Sequence, residues 1–282
     1  MDSRTMTAES LSAFEQYLKT EERSDATIEK YLRDAWQFAA WLRGRTVTKE
    51  AAASWKEHLV EQSYDAGTVN GKLAALNAFF RFADWEDCRV KSLKRQRRVF
   101  REQERELTQD EYSQLLRTAE TMGRERLKLL METICGTGIR VSEVRYITVE
   151  TAKAGKAEVS LKGKIRTILL PTKLCRKLLK YAKRKKIASG EIFLTRSGKA
   201  MTRKQIWAEM KSICKKAGVE TSKVYPHNLR HLFARIFYSM EKDLSRLADI
   251  LGHSSVNTTR IYTAESGAVH ARQMERMGLI VT

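Results

Sequence analysis

Long apolar runs are missing from this 282-residue chain. No stretch approaches the roughly eighteen apolar residues at which a membrane-spanning helix becomes possible. Cysteine is sparse and scattered: Cys88, Cys135, Cys175 and Cys214 lie 47, 40 and 39 residues apart. No pair has metal-ligand spacing, and nothing suggests a disulfide framework. The opening residues, MDSRTMTAES, lack the basic and then apolar order of a secretory signal. A carboxylate cluster of the two-metal type is not evident either. These absences point to a reducing, cytoplasmic setting where DNA is accessible, with no membrane partner, no metal and no cofactor.

Positive charge is what the chain has in excess. The formal charge is +19, and residues 151–220 hold 20 Lys plus Arg against 4 Asp plus Glu. Such a local field favours polyanions, because each phosphate contact releases condensed counterions and steers association. Nucleic acid is favoured over an anionic membrane or a merely solvated face. The length suits two domains with real cores, or one large one.

The first ninety residues read as a helical bundle. SAFEQYLKT carries Phe14, Tyr17 and Leu18 on one face. In ATIEKYLRDAWQFAAWLRG, the residues Ile28, Tyr31, Leu32, Trp36, Phe38, Ala39 and Leu42 recur at spacings of three and four. Two more helices are expected around AAASWKEHLVEQ and TVNGKLAALNAFFRFADW, giving a module of four or five helices. Residues 91–106, KSLKRQRRVFREQERE, are almost wholly charged or polar and read as a linker, with Leu93, Val99 and Phe100 as exceptions.

A second domain is expected over 107–282. Thr108 and Glu111 have capping-box spacing. Helices are expected over about 124–136 and from Val141 onward. AEVSL and IRTILLP then predict two or three short strands about the basic turn KGK at 162–164. From 172 the pattern is helical again, interrupted by EIFLTRSGKAM. The fold class is therefore mainly α: a helical bundle followed by a mixed domain with a small β-sheet.

Five polar motifs occur in order in the second domain: GTGIRVSE, LKGKIR, PHNLRH, LGHSS and RIYT. Each is weak alone, but together they suit one reaction. Phosphoryl transfer needs positive charge on the equatorial oxygens, which two guanidiniums supply bidentately, and Arg140 and Arg230 are the candidates. A phenol is a feeble nucleophile until its proton is taken or its anion is held in a positive field. Tyr262 is the candidate nucleophile and His227 the proton acceptor. Lys162, on its turn, suits the acid that protonates the leaving oxygen, with Lys164 as rival. His253 is placed to donate a hydrogen bond to the phosphate.

These blocks resemble the tyrosine recombinase, or phage integrase, family, and the whole length resembles its short bacterial Xer-like members. The resemblance implies an N-terminal core-binding bundle and a C-terminal catalytic domain that clamp duplex DNA. Arg140 matches the first catalytic arginine, Lys162 the hairpin lysine, His227 and Arg230 the paired histidine and arginine, His253 the late histidine and Tyr262 the nucleophile. Glu143 matches an acidic residue expected to orient its neighbours. His231 is expected to give supporting contacts, and Leu232, where many relatives carry a small polar residue, to be a packing difference.

The implied cycle is a 3′-phosphotyrosyl bond, attack of the freed 5′-hydroxyl on a partner duplex, and a Holliday junction. Neither ATP nor a metal is required. The implied partners are double-stranded DNA with inverted core-binding half-sites and either a homotetramer on two sites or a paralogous recombinase. With no arm-binding segment seen before the bundle, simple core sites are expected. The last residues, AESGAVHARQMERMGLI, are expected to form a short helix with Val269, Met274 and Met277 near one face; the resemblance implies docking on a neighbouring protomer, and a tail folded back on its own domain is the alternative. A topoisomerase-like nicking and rejoining enzyme, and a non-catalytic DNA-binding protein of the same fold, are the alternatives.

Overall fold

The first helix begins at a reciprocal cap: the Thr7 hydroxyl accepts from the Ser10 N–H while the Ser10 hydroxyl accepts from the Thr7 N–H. The computed structural model describes residues 4–94, 106–161, 164–253, 255–259 and 275–276, and the chain divides into two units, 1–97 and 98–282.

The first unit contains α1 (Ala8–Thr20), α2 (Asp25–Leu42), α3 (Lys49–Glu61) and α4 (Ala66–Phe82), followed by a 3-10 turn at Glu86–Cys88. Its core is aromatic. Phe14, Phe38, Phe79 and Phe80 are fully buried, and Phe14 meets Phe79 edge-on at 5.3 Å. Each such ring contributes roughly 1.5–3 kcal/mol on burial. Trp36 departs from the apolar face read in the sequence: it is 47% exposed, while Ile28, Ala35, Phe38 and Leu42 are buried. Successive helical residues point about 100° apart, so a stripe centred on 35, 38 and 42 turns residue 36 outward.

Asn70 and Asn77 stand two turns apart on α4, and each holds one residue of the chain that follows the bundle. Asn77 pairs with the N–H and C=O of Val90 at 3.0 and 2.9 Å, and Asn70 with those of Leu93 at 2.7 and 3.0 Å. The bundle therefore keeps hold of the chain through Leu93, inside the stretch read as linker. Residues 95–105 of that stretch lie outside the described residues.

The second unit opens on the capping box anticipated at Thr108 and Glu111, which starts α5 (Gln109–Thr121). After α6 (Glu125–Thr137), the helix expected at Val141 is instead a 3-10 turn over Val141–Tyr146, followed by the short α7 (Val149–Ala154). The Glu143 carboxylate accepts from the Arg140 N–H at 2.8 Å and closes this tighter turn. Strands β1 (Lys156–Leu161) and β2 (Lys164–Leu169) form an antiparallel pair in which Leu161 faces Lys164. The sheet has two strands among the described residues; EIFLTRSGKAM adds only the isolated bridges Thr148↔Glu191 and Leu194↔Ala200.

Helices α8 (Thr172–Arg184), α9 (Arg203–Lys211), α10 (Cys214–Ala217), α11 (Pro226–Glu241), α12 (Leu244–Leu251) and α13 (Val256–Thr259) complete the described part. Leu232 of α11 is buried in the core, as expected of a packing residue. All four cysteines are free and buried. Among the described residues, no helix is long and apolar enough to cross a membrane.

Candidate active site

A helix ends in carbonyls that have no partner within it, at the negative end of its dipole. At the C-terminus of α12, three successive carbonyls each accept from a different arginine. Ile250 O accepts from Arg166 Nη2 at 2.6 Å, Leu251 O from Arg230 Nη2 at 2.8 Å, and Gly252 O from Arg140 Nη2 at 3.0 Å. Three motifs far apart in sequence are thus fixed to one turn of backbone.

Glu143 joins two of these arginines. Its Oε1 accepts from Arg140 Nη1 at 2.9 Å, and both its oxygens accept from Arg166 Nη1, at 3.1 and 3.0 Å. The carboxylate is 1% exposed, and such a charge is tolerable only when paired. Arg230 is also buried: its Nη1 donates to Gly138 O at 2.6 Å and its Nη2 lies 2.9 Å from His253 Nε2. A guanidinium can only donate, so Nε2 accepts and the ring proton sits on Nδ1, which donates to the buried Thr259 hydroxyl at 2.8 Å. Donation from His253 Nε2 to a phosphate, the role read from the sequence, requires this contact to open and the proton to move.

His227 and His231 are one turn apart on α11, with ring centroids 4.4 Å apart and edge-to-face. Pro226 occupies the first turn, where its missing N–H costs nothing. Burial, followed by the charges of Arg230 and Arg140, lowers the His227 pKa. Burial, then Arg230, Arg140, Arg166 and His227, pushes His253 down to about 4. Both rings are neutral near pH 7, as a proton acceptor must be.

Of these side chains, Arg140, His227 and Arg230 meet at a cleft of about 380 Å³ lined also by Arg203, Trp207 and Tyr225, among others. Arg140, 40% exposed, is an accessible cation in it, and Arg230 lies deeper. Lys162 and Tyr262 lie outside the described residues, as does all but residues 275–276 of the tail; Lys164 opens β2.

The phage integrase family matches residues 105–268, and its N-terminal SAM-like domain matches residues 11–87. The chain belongs to the phage integrase family. As a tyrosine recombinase it cleaves and rejoins DNA strands through a covalent tyrosine intermediate, in site-specific recombination. It is 28% identical to tyrosine recombinase XerA of Pyrococcus furiosus over 289 residues, covering 99% of this chain and 98% of that protein. It is 31% identical to tyrosine recombinase XerC of Roseiflexus castenholzii, covering 90% and 88%. Among solved structures, a lambda integrase tetramer bound to a Holliday junction shares the fold with a TM-score of 0.74 at 19% identity, covering 93% of this chain and 78% of that one. XerH bound to its difH substrate gives 0.68 at 19% identity, covering 96% and 90%.

The cleft and the arginine cluster beside it also hold residues that the sequence motifs do not mark. Arg166 stands beside the two lysines of LKGKIR, and strand alternation sets it apart: it shares a face with buried Ile168, whereas Ile165 and Leu169 are 79% and 72% exposed. Arg203, Trp207 and Tyr225 carried no comparable signal, because only the tertiary fold brings them to the cleft.

Two predictions arise from this packing. Gly138 has φ +64°, and a Cβ there would lie 2.5 Å from the Phe233 ring and 2.9 Å from Leu251. Gly123 has nearly the same φ, +65°, with nothing within 4 Å. Gly123→Ala should therefore cost only the left-handed penalty of about 1 kcal/mol. Gly138→Ala should cost about 3 kcal/mol, the excess coming from overpacking. Denaturant midpoints at unchanged slope measure both, and equal costs would show that the site absorbs the methyl group.

The second concerns acid. Between about 6.5 and 4, the unfolded chain takes up a proton at His253 that the folded chain does not, so stability falls as pH falls through that window. The melting temperature of the wild type should drop more between pH 7 and 4.5 than that of His253→Gln. Parallel curves would mean that His253 titrates normally.

Proposed function

We propose that this cleft receives the scissile phosphate of a duplex recombination site, with Tyr262 as nucleophile. The observation that carries the reading is the convergence of Arg140, Arg230 and a neutral His227 on one cleft at the C-terminus of α12. The tyrosine oxygen bonds to phosphorus as the bond from phosphorus to the 5′-oxygen breaks. His227 takes the phenol proton, and Lys162 gives one to the departing 5′-oxygen. The arginines stabilise charge on the non-bridging oxygens, which grows toward the transition state. The 3′-phosphotyrosyl bond conserves the phosphodiester energy, so the freed 5′-hydroxyl of a partner strand can reverse the step on a new duplex.

Four protomers on two duplexes, exchanging one strand pair at a time through a Holliday junction, is the assembly this chemistry favours. The solved lambda integrase tetramer on a Holliday junction supports it. The proposed setting is action at simple inverted half-sites, in dimer resolution, integration and excision, or transposon resolution, within the tyrosine recombinase activity that the match to XerA of Pyrococcus furiosus supports.

The test is capture of covalent adducts from a library of nicked duplexes that trap cleavage, with chelator present. An SDS-resistant adduct is expected, and sequencing the trapped DNA reads out the site. Tight binding without an adduct, even with candidate partner recombinases added, would favour a binding protein of this fold. The acid is assigned separately. A 5′-bridging phosphorothiolate, whose leaving group needs no proton, should restore cleavage to Lys162→Ala by about 100-fold and leave Lys164→Ala unchanged. Rescue of Lys164→Ala instead would move the role to that residue.

A further inference from the structure

The cluster of Arg140, Glu143 and Arg166 holds two cations and one anion. With Glu143 as its only companion, Arg140 would meet an approaching phosphate already neutralised, because the carboxylate lies 2.9 Å from its Nη1. Arg166 changes that balance. It binds both oxygens of Glu143 from the inner side, and its side chain is 11% exposed against 40% for Arg140. The inner guanidinium offsets the carboxylate, and the outer one keeps its charge toward the cleft. Partial burial keeps solvent from screening these interactions away.

Arg166 also links three pieces of backbone. It stands in β2, two residues after Lys164, and it holds the Glu143 turn through the carboxylate and the end of α12 through Ile250 O. Gly252 packs so closely on it that an added Cβ would lie 2.4 Å from Arg166 Cδ. Strand β2, the Arg140 turn and the segment bearing His253 are therefore fixed to one side chain.

We propose that Arg166 is a positioning residue for strand cleavage, acting through Glu143 to hold Arg140 in place and to leave its positive charge available to the scissile phosphate. This rests on the assignment of Arg140 to the phosphate. A structural bolt and a charge-balancing residue differ in what Glu143 does once Arg166 is gone: the bolt gains nothing from losing the carboxylate, whereas the charge-balancing residue leaves behind an anion that saps Arg140.

The test is single-turnover cleavage at saturating DNA, using full-length protein and a nicked duplex recovered by adduct trapping. Arg166→Gln should slow the first-order step about 30-fold with DNA affinity within about threefold. Arg166→Lys, which keeps the charge, should stay within about fivefold. Adding Glu143→Gln to Arg166→Gln should recover about tenfold, a coupling that additive structural damage does not produce. A double variant no faster than Arg166→Gln overturns the proposal, as does Arg166→Gln at wild-type speed. If Arg166→Gln does not fold, Arg166→Lys decides alone: cleavage within fivefold supports charge balance, and a larger loss overturns it. Arg140→Ala separates the two layers. Normal cleavage by Arg140→Ala removes the phosphate assignment itself, whereas an inactive Arg140→Ala beside a fast Arg166→Gln removes only the role of Arg166.

Discussion

Arg230→Ala is expected to slow strand cleavage by about 10³-fold, the scale on which removal of a preorganised donor to a transition-state oxyanion acts. It should also destabilise the second unit, for a reason independent of DNA. Arg230 is 1% exposed, and its guanidinium donates to Gly138 O, Leu251 O and His253 Nε2. Truncation removes the donor from all three and leaves a cavity where a large side chain stood. Leaving a buried polar group unsatisfied costs about 1–3 kcal/mol, so a loss of about 3 kcal/mol or more is expected.

Arg230→Lys divides the two effects. An ammonium keeps the charge and loses the planar fork, so it cannot reach all three acceptors in the same geometry. It should recover part of the stability and little of the cleavage. A third signature lies in His253: Arg230 is the largest charge depressing its pKa after burial, so Arg230→Ala should raise that pKa, and NMR titration of the ring would follow it. Cleavage near the wild-type rate by a folded Arg230→Ala, with DNA binding unchanged, would remove Arg230 from the phosphate site. An unmoved His253 would place the histidine outside its field.

How far such a site can be read in advance depends on which atoms build it. The helices were legible because their signals are local. Thr108 and Glu111 announce a cap within three residues, and Phe38 and Leu42 recur at the helical period. The arginines and histidines of the site were legible as residue types within motifs. Their partners were not, because the organising acceptors are the main-chain carbonyls of Ile250, Leu251 and Gly252, and a carbonyl carries no letter of its own.

The same limit explains the misplaced helix at Val141. Its apolar pattern suits a helix, yet the Glu143 side chain turns inward to the Arg140 N–H and tightens the chain into a 3-10 turn. At Leu93 a charged stretch concealed an anchor, because Asn70 binds backbone that a composition count cannot see. Arg166 is the instructive miss. Among lysines it read as one more basic residue, and only its inward register in β2 set it apart.

Tyr262→Phe should abolish the covalent adduct, with a loss of at least about 10⁴-fold, since no other oxygen takes the place of the lost phenol. DNA affinity should change little, because phosphate contacts from a chain of charge +19 set binding and the substitution removes no positive charge. This pairing of outcomes is what distinguishes a nucleophile from a packing residue, whose loss would weaken binding or folding along with the adduct. A further step separates chemistry from assembly. Mixed with wild-type protein on a duplex carrying two half-sites, Tyr262→Phe should fill its place and leave cleavage to the wild-type protomer, giving adducts on one strand only. An adduct persisting in Tyr262→Phe alone would require another nucleophile. A lost adduct with lost binding would return Tyr262 to the packing role that a lone aromatic near the end of a chain ordinarily has.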